Sequence, residues 1–100
     1  MIKYGIDALQ EAEKMMRSAL QSDYTNKLED TFNNIESEIH KVKVKYPHNF
    51  NSLHEAYAVI KEEIDELWDE IKKKDTNKEN IKMEAIQSAA MLCRLLVELV

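Results

Sequence analysis

One glycine, one proline and one cysteine occur in 100 residues, and each scarcity excludes something. With Gly5 as the only glycine, the chain cannot build a glycine-rich loop that cradles phosphates. With Pro47 as the only proline, long stretches carry no helix breaker. Cys93 stands alone, so no intrachain disulfide can form, which fits a reducing cytoplasm. Its neighbours are apolar, so it reads as a packing residue and not as a nucleophile. No Cys/His metal cluster and no Ser-His-Asp pattern is present. Long hydrophobic runs are missing too. The stretch Ala85–Val100 is shorter than the roughly 20 residues a membrane span needs, and Gln87, Arg94 and Glu98 interrupt it. Met1-Ile2-Lys3-Tyr4-Gly5 lacks the apolar core of a signal peptide. Basic residues are outnumbered 14 to 19, for a net charge of −5, which argues against general nucleic-acid binding. The expectation is a cytoplasmic protein with no membrane and no nucleic-acid partner.

What is abundant is helix-forming: Leu, Ile, Ala, Glu and Lys. A chain of this size buries roughly two-thirds of its unfolded surface, enough for one thin core. The sequence predicts a single all-α domain over residues 1–100, built from four helices. The first starts at Asp7, which caps it with Gln10 reaching back, and carries Leu9, Ala12, Met16, Ala19 and Leu20 as a stripe. Gln21-Ser22-Asp23 reads as a turn. The second runs from Tyr24 or Thr25 to Tyr46. On it Leu28, Phe32, Ile35, Ile39, Val42 and Tyr46 recur at spacings of four and three, a coiled-coil-like seam. Pro47 closes it.

Ser52-Leu53-His54-Glu55 has the form of a capping box and opens the third helix. That helix is expected to bury Leu53, Tyr57, Ile60, Ile64, Leu67 and Ile71, with Trp68 packed beside them. Lys72-Lys73-Lys74 ends it, since cations suit a helix C-terminus. Thr76-Asn77-Lys78-Glu79 reads as a further capping box and opens the fourth helix. There Ile81, Ala85, Ala89, Leu92, Cys93 and Leu96 form one apolar face, while Met83, Ala90, Met91 and Leu95 add apolar surface elsewhere. A helix apolar nearly all round needs burial on more than one side, so a homodimer or homotetramer is expected.

The densest chemistry lies in Lys61–Glu70, where six of ten residues are acids. Glu63 and Glu66 are three apart and share a helix face, with Glu62 and Glu70 about one turn away. Like charges crowded this way destabilise unless a cation joins them or water screens them. A hard divalent cation is one answer; a solvated acidic stripe is the other. The fourth helix offers a second pair, because Glu84, Gln87, Met91, Arg94 and Glu98 follow one side of it. Glu66 and Glu84 are equally far from the turn at Asp75-Thr76, so an antiparallel pair would bring them level. Bundles build inward-facing metal sites this way.

The string Glu62-Glu63-Ile64-Asp65-Glu66-Leu67, followed after a helix break by Glu84-Ala85-Ile86-Gln87, resembles the MazG-like all-α nucleoside triphosphate pyrophosphohydrolases. Those carry Glu-x-x-Glu on one helix and Glu-x-x-Asp on the next. The longer strings His54–Glu70 and Glu84–Met91 are similar to small bacterial and phage members. The resemblance covers residues 50–100; the N-terminal helices, 7–46, match no motif. It implies a four-helix MazG-like bundle that oligomerises and cleaves a (deoxy)nucleoside triphosphate to monophosphate and pyrophosphate. It implies magnesium, with manganese as substitute, held by Glu63, Glu66 and Glu84, with Gln87 in place of the family's aspartate. A carboxylate left unligated, Glu62 or Glu63, would take a proton from the attacking water. Arg94 and Lys82 are candidates for the phosphates, Arg94 equally for a structural ion pair. Gln87 carries no charge and cannot act as a base, so a protein that sequesters a nucleotide intact is the alternative. A helical interaction module with a solvated acidic face is another. The scattered His40, His48 and His54 read as surface or capping residues.

Overall fold

The structure, a computed structural model, describes residues 9–16 and 23–100. The expected cap at Asp7, the apolar Ala19 and Leu20, and the turn positions Gln21 and Ser22 lie outside the described residues. Those described are helical or in connecting loops, with no strand among them. Residues 9–16 are helical (α1). They are followed by α2 (Asp23–Lys45), α3 (Leu53–Ile71) and α4 (Lys78–Leu99). No helix among the described residues is long and apolar enough to cross a membrane.

By internal packing the chain divides into two units, Met1–Thr31 and Phe32–Val100. In the first, residues 9–16 are exposed throughout, and within α2 the Thr31 hydroxyl donates to the Lys27 carbonyl (2.7 Å). The second unit holds the motif-bearing helices and is described by itself below.

Its helix ends follow local chemistry. Ser52 caps α3 from an extended conformation, and its Oγ accepts from the Glu55 amide (3.1 Å). Glu55 reaches back one residue beyond the cap, so the reciprocal bond to the Ser52 amide that a box requires is replaced by bonds from Asn51. It accepts from the Asn51 amide (3.1 Å) and the Asn51 side chain (2.9 Å) and so ties down the preceding loop residue. Lys72 closes α3 with its amide on the Trp68 carbonyl (2.9 Å). At the start of α4 the expected box shifts by one residue. Asn77, not Thr76, is the cap, and its Oδ1 accepts from the amides of Glu79 (2.9 Å) and Asn80 (3.1 Å). Asn outranks Thr as an N-cap, and with Asn77 in that place Glu79 is too close to close a box.

The core is small: Phe50, Ala56, Ala90 and Met91 are buried, and Ile35, Ile39, Val42, Val59, Ile60, Leu95 and Leu99 pack against them. Ala56 and Ala90 are both wholly buried. Having only a methyl group each, they let α3 and α4 approach closely as an antiparallel pair.

This face is not the one the apolar spacing suggested. On α3, Ile60 and Leu67 are half-buried, but Leu53, Tyr57, Ile64 and Ile71 are exposed, as is Trp68. On α4 the expected face is only partly covered, with Ile81, Ala89 and Cys93 half-buried. Leu92 and Leu96 of the supposed buried face are exposed, while Met91 and Arg94 of the polar strip are buried beside Ser88 and Ala90. The reason is satisfaction of polar groups. Arg94 and Glu98 pair with each other, and Ser88 Oγ donates to the Glu84 carbonyl (2.9 Å), so the polar strip can face inward.

Arg94 and Glu98 also fasten the α2–α3 loop. Arg94 Nε donates to Glu98 Oε2 (2.8 Å), and its Nη2 to Glu98 Oε1 (3.2 Å) and the His48 carbonyl (3.3 Å). The Phe50 amide donates to Glu98 Oε1 (2.7 Å). Lys43 bridges Glu98 (3.4 Å) and Asn49 (2.9 Å). The guanidinium carbon of Arg94 lies 4.2 Å from the centre of the Phe50 ring, a cation–π distance.

Candidate functional site

The acidic decapeptide separates into two chemically different halves. Asp65, Asp69 and Glu70 face lysines: Lys61–Asp65 at 2.8 Å, Lys72–Asp69 at 3.1 Å and Lys73–Glu70 at 2.6 Å. All are at helical spacing; the two aspartate pairs are exposed and worth little individually, while Glu70 is mostly covered and its Oε1 is buried without a hydrogen-bond partner. Their effect is to neutralise one side of α3.

The other half has no such compensation. Antiparallel packing of α3 on α4 brings Glu63, Glu66 and Glu84 together, one oxygen from each lying within 4.8 Å of the others. No ion pair to any of the three occurs among the described residues. Oε2 of Glu63 and Oε2 of Glu84 are shut off from solvent and have no hydrogen-bond partner.

The electrostatic consequences follow. Burial pushes the Glu63 carboxyl above its usual range, and the charges of Glu66, Glu84, Glu62 and Glu38 push the same way. Burial likewise raises Glu84, followed by the charge of Glu66, a hydrogen bond with Glu66, and the charge of Glu70. A cation among these oxygens would relieve both desolvation and repulsion. Three carboxylates of hard oxygen suit magnesium or manganese, not a soft metal.

The remaining expected residues are dispersed around this cluster. Gln87, half-buried on α4, lines with Glu63 a cavity of about 240 Å³ whose wall also includes Glu38, Lys41 and Lys45. Glu62 is exposed on α3. Lys82 lines a neighbouring cavity of about 360 Å³ together with Gln87, Glu38 and Lys41. Arg94 is buried, and most of its donors are taken by Glu98, His48 and Met91 Sδ. It still borders a third cavity, of about 540 Å³, shared with Glu63, Tyr46 and Phe50.

Glu38, Lys41, Lys45, Tyr46 and Phe50 are site-lining residues the sequence reading did not assign. A signal existed for Glu38. It lies three residues after Ile35 and four before Val42, on the same side of α2 as the apolar seam. An acid on a packing face is the informative exception. The lysines gave no such signal, because a basic helix end has an ordinary explanation in the helix dipole.

No family model, curated protein or solved structure matches the chain.

Proposed function

We propose that this chain is a MazG-like, magnesium-dependent nucleotide pyrophosphohydrolase, acting as a homodimer or homotetramer on a (deoxy)nucleoside triphosphate or related nucleotide. The observation that carries the reading is the convergence of Glu63, Glu66 and Glu84 within 4.8 Å, at the positions where the motif resemblance puts metal ligands. Two orphaned buried carboxylate oxygens in that cluster fit a cation-binding role.

Under this reading Glu63, Glu66 and Glu84 hold the cation, and Gln87 contributes a neutral amide oxygen. Magnesium, when bound, neutralises triphosphate charge and favours deprotonation of a water. Glu62 or Glu63 accepts the proton of the attacking water. Glu62 is exposed and outside the proposed ligand set, so it is free to take that proton; Glu63 can do so only as the carboxylate left unligated. Self-association is supported by the exposed Tyr57, Trp68, Leu92 and Leu96, a large amount of apolar surface for so small a chain.

Gln87 supports a second reading, a nucleotide-sequestering protein of the same fold. The test is to incubate the protein with magnesium and a panel of nucleoside and deoxynucleoside triphosphates and to follow pyrophosphate release. Equimolar monophosphate and pyrophosphate are expected. Nucleotide bound tightly but recovered intact would favour sequestration, and Gln87→Asp should then confer turnover. Neither binding nor release would leave the exposed apolar faces, and an interaction module, as the better account.

A further inference from the structure

Three cavities run into one another across the face where α2 meets α3 and α4. The 540 Å³ and 240 Å³ cavities share Val42, Lys45, Tyr46, Glu63 and Met91. The 240 Å³ and 360 Å³ cavities share Glu38, Lys41 and Gln87. They adjoin one another through these shared walls as a trough, and Glu63 lines the wall common to the 540 Å³ and 240 Å³ cavities.

The two ends of the trough differ in chemistry. The loop end is floored by Phe50, Val59 and Met91 and bordered by the amides of Asn49 and Asn51. Such a mixture of apolar surface and a few amides suits a planar heterocycle. Tyr46, 58% exposed as a residue, stands where this end joins the middle. The far end carries Lys41 and Lys82 beside Glu38 and Glu79, with Lys41 only loosely paired to Glu38 (3.9 Å), and Lys45 lines the middle with its ammonium 5.4 Å from the Tyr46 ring centre. Lys45 and Lys82 have no carboxylate partner among the described residues, although acids outnumber bases in this chain. Neither ammonium is committed to a carboxylate, so both are available to an anion in the trough.

We propose that the trough binds a nucleotide in one direction, with the nucleoside against Tyr46 and Phe50 and the phosphates running past Glu63 toward Lys41, Lys45 and Lys82. This rests on the nucleotide reading above and adds to it an orientation and contacts from Tyr46, Phe50, Lys41 and Lys45, none of them a carboxylate. Tyr46 stacks on the base; the lysines pair with phosphate oxygens as point charges.

Calorimetry with magnesium and two probes separates the parts: the α,β-methylene analogues of the four deoxynucleoside triphosphates, and inorganic tripolyphosphate, which has no nucleoside. Tyr46→Ala should weaken the best-bound analogue about tenfold, as loss of one stacked base does, and leave tripolyphosphate unchanged. The double variant Lys41→Ala/Lys45→Ala should weaken both probes by about tenfold or more. These side chains are exposed, so the variants should keep the wild-type helical signal and the magnesium-induced rise in melting temperature. If wild type binds an analogue and both variants bind it equally well, the orientation is overturned while the nucleotide reading stands. If Tyr46→Ala weakens tripolyphosphate as much as the analogue, the nucleoside assignment is overturned. If wild type binds neither probe, the nucleotide reading falls and this inference with it.

Discussion

Glu98 shows how one side chain sets the acid sensitivity of this protein. Hydrogen bonds from Arg94, with further help from the Phe50 amide, the Arg94 charge and Lys43, hold its carboxyl below the usual range against the opposing effect of burial. A carboxylate with a lowered folded-state pKa stabilises the fold above its unfolded pKa, about 4.3. That contribution is lost as pH falls through the lower folded value. Glu63 and Glu84 act with the opposite sign. Their raised values mean that the folded state takes up protons first, so metal-free stability should rise as pH drops from neutral toward that window. Thermal melting against pH should therefore show a maximum on the acid side of neutrality, then a decline. In Glu98→Gln the acid decline should be shallower than in wild type.

At the scale of elements, the α2–α3 loop is attached to α4 by a buried ion pair. Arg94→Ala leaves Glu98 with only Lys43 and the Phe50 amide as partners and should cost about 3 kcal/mol in urea denaturation. Replacing both, as Arg94→Met with Glu98→Leu, should cost less than the single change, because no lone charge is left inside. The helices themselves were legible because capping residues, the lysine-rich ends and Pro47 are local signals. Asn77 displaced Thr76 because two good caps stood side by side. Which face each helix buries was much less legible. Spacing marked Leu53, Tyr57, Ile64 and Ile71 as a stripe, yet the close approach of α3 and α4 is decided by Ala56 and Ala90, residues too small to stand out in a pattern. Likewise, Arg94 read equally as a phosphate contact or a structural ion pair; the structure makes it an ion pair, with Glu98 of its own helix, and the His48 carbonyl and the Phe50 ring complete its interior setting.

Across the whole molecule, the stripe left exposed on α3 and the Leu92, Leu96 and Val97 surface on α4 are what a self-associating chain would cover. Sedimentation equilibrium at micromolar concentration should give a dimer or tetramer, and Leu96→Lys should shift it toward monomer with little loss of helix. A wild-type monomer would remove the oligomer from the account. The carboxylate site shares this dependence on long-range packing. Equal distances of Glu66 and Glu84 from the α3–α4 turn made their meeting foreseeable, whereas Glu38, Lys41 and Lys45 arrive from another helix whose docking no local signal encodes. The central claim is that Glu63, Glu66 and Glu84 crowd together to hold a divalent cation. The direct test is the melting temperature of wild type and Glu66→Gln with and without magnesium. Without metal the variant should melt higher, because one repelling charge is gone. With magnesium a hundredfold above Kd, wild type should gain about 2.7 kcal/mol and overtake the variant, which gains little. Equal responses of the two proteins to magnesium would contradict the claim.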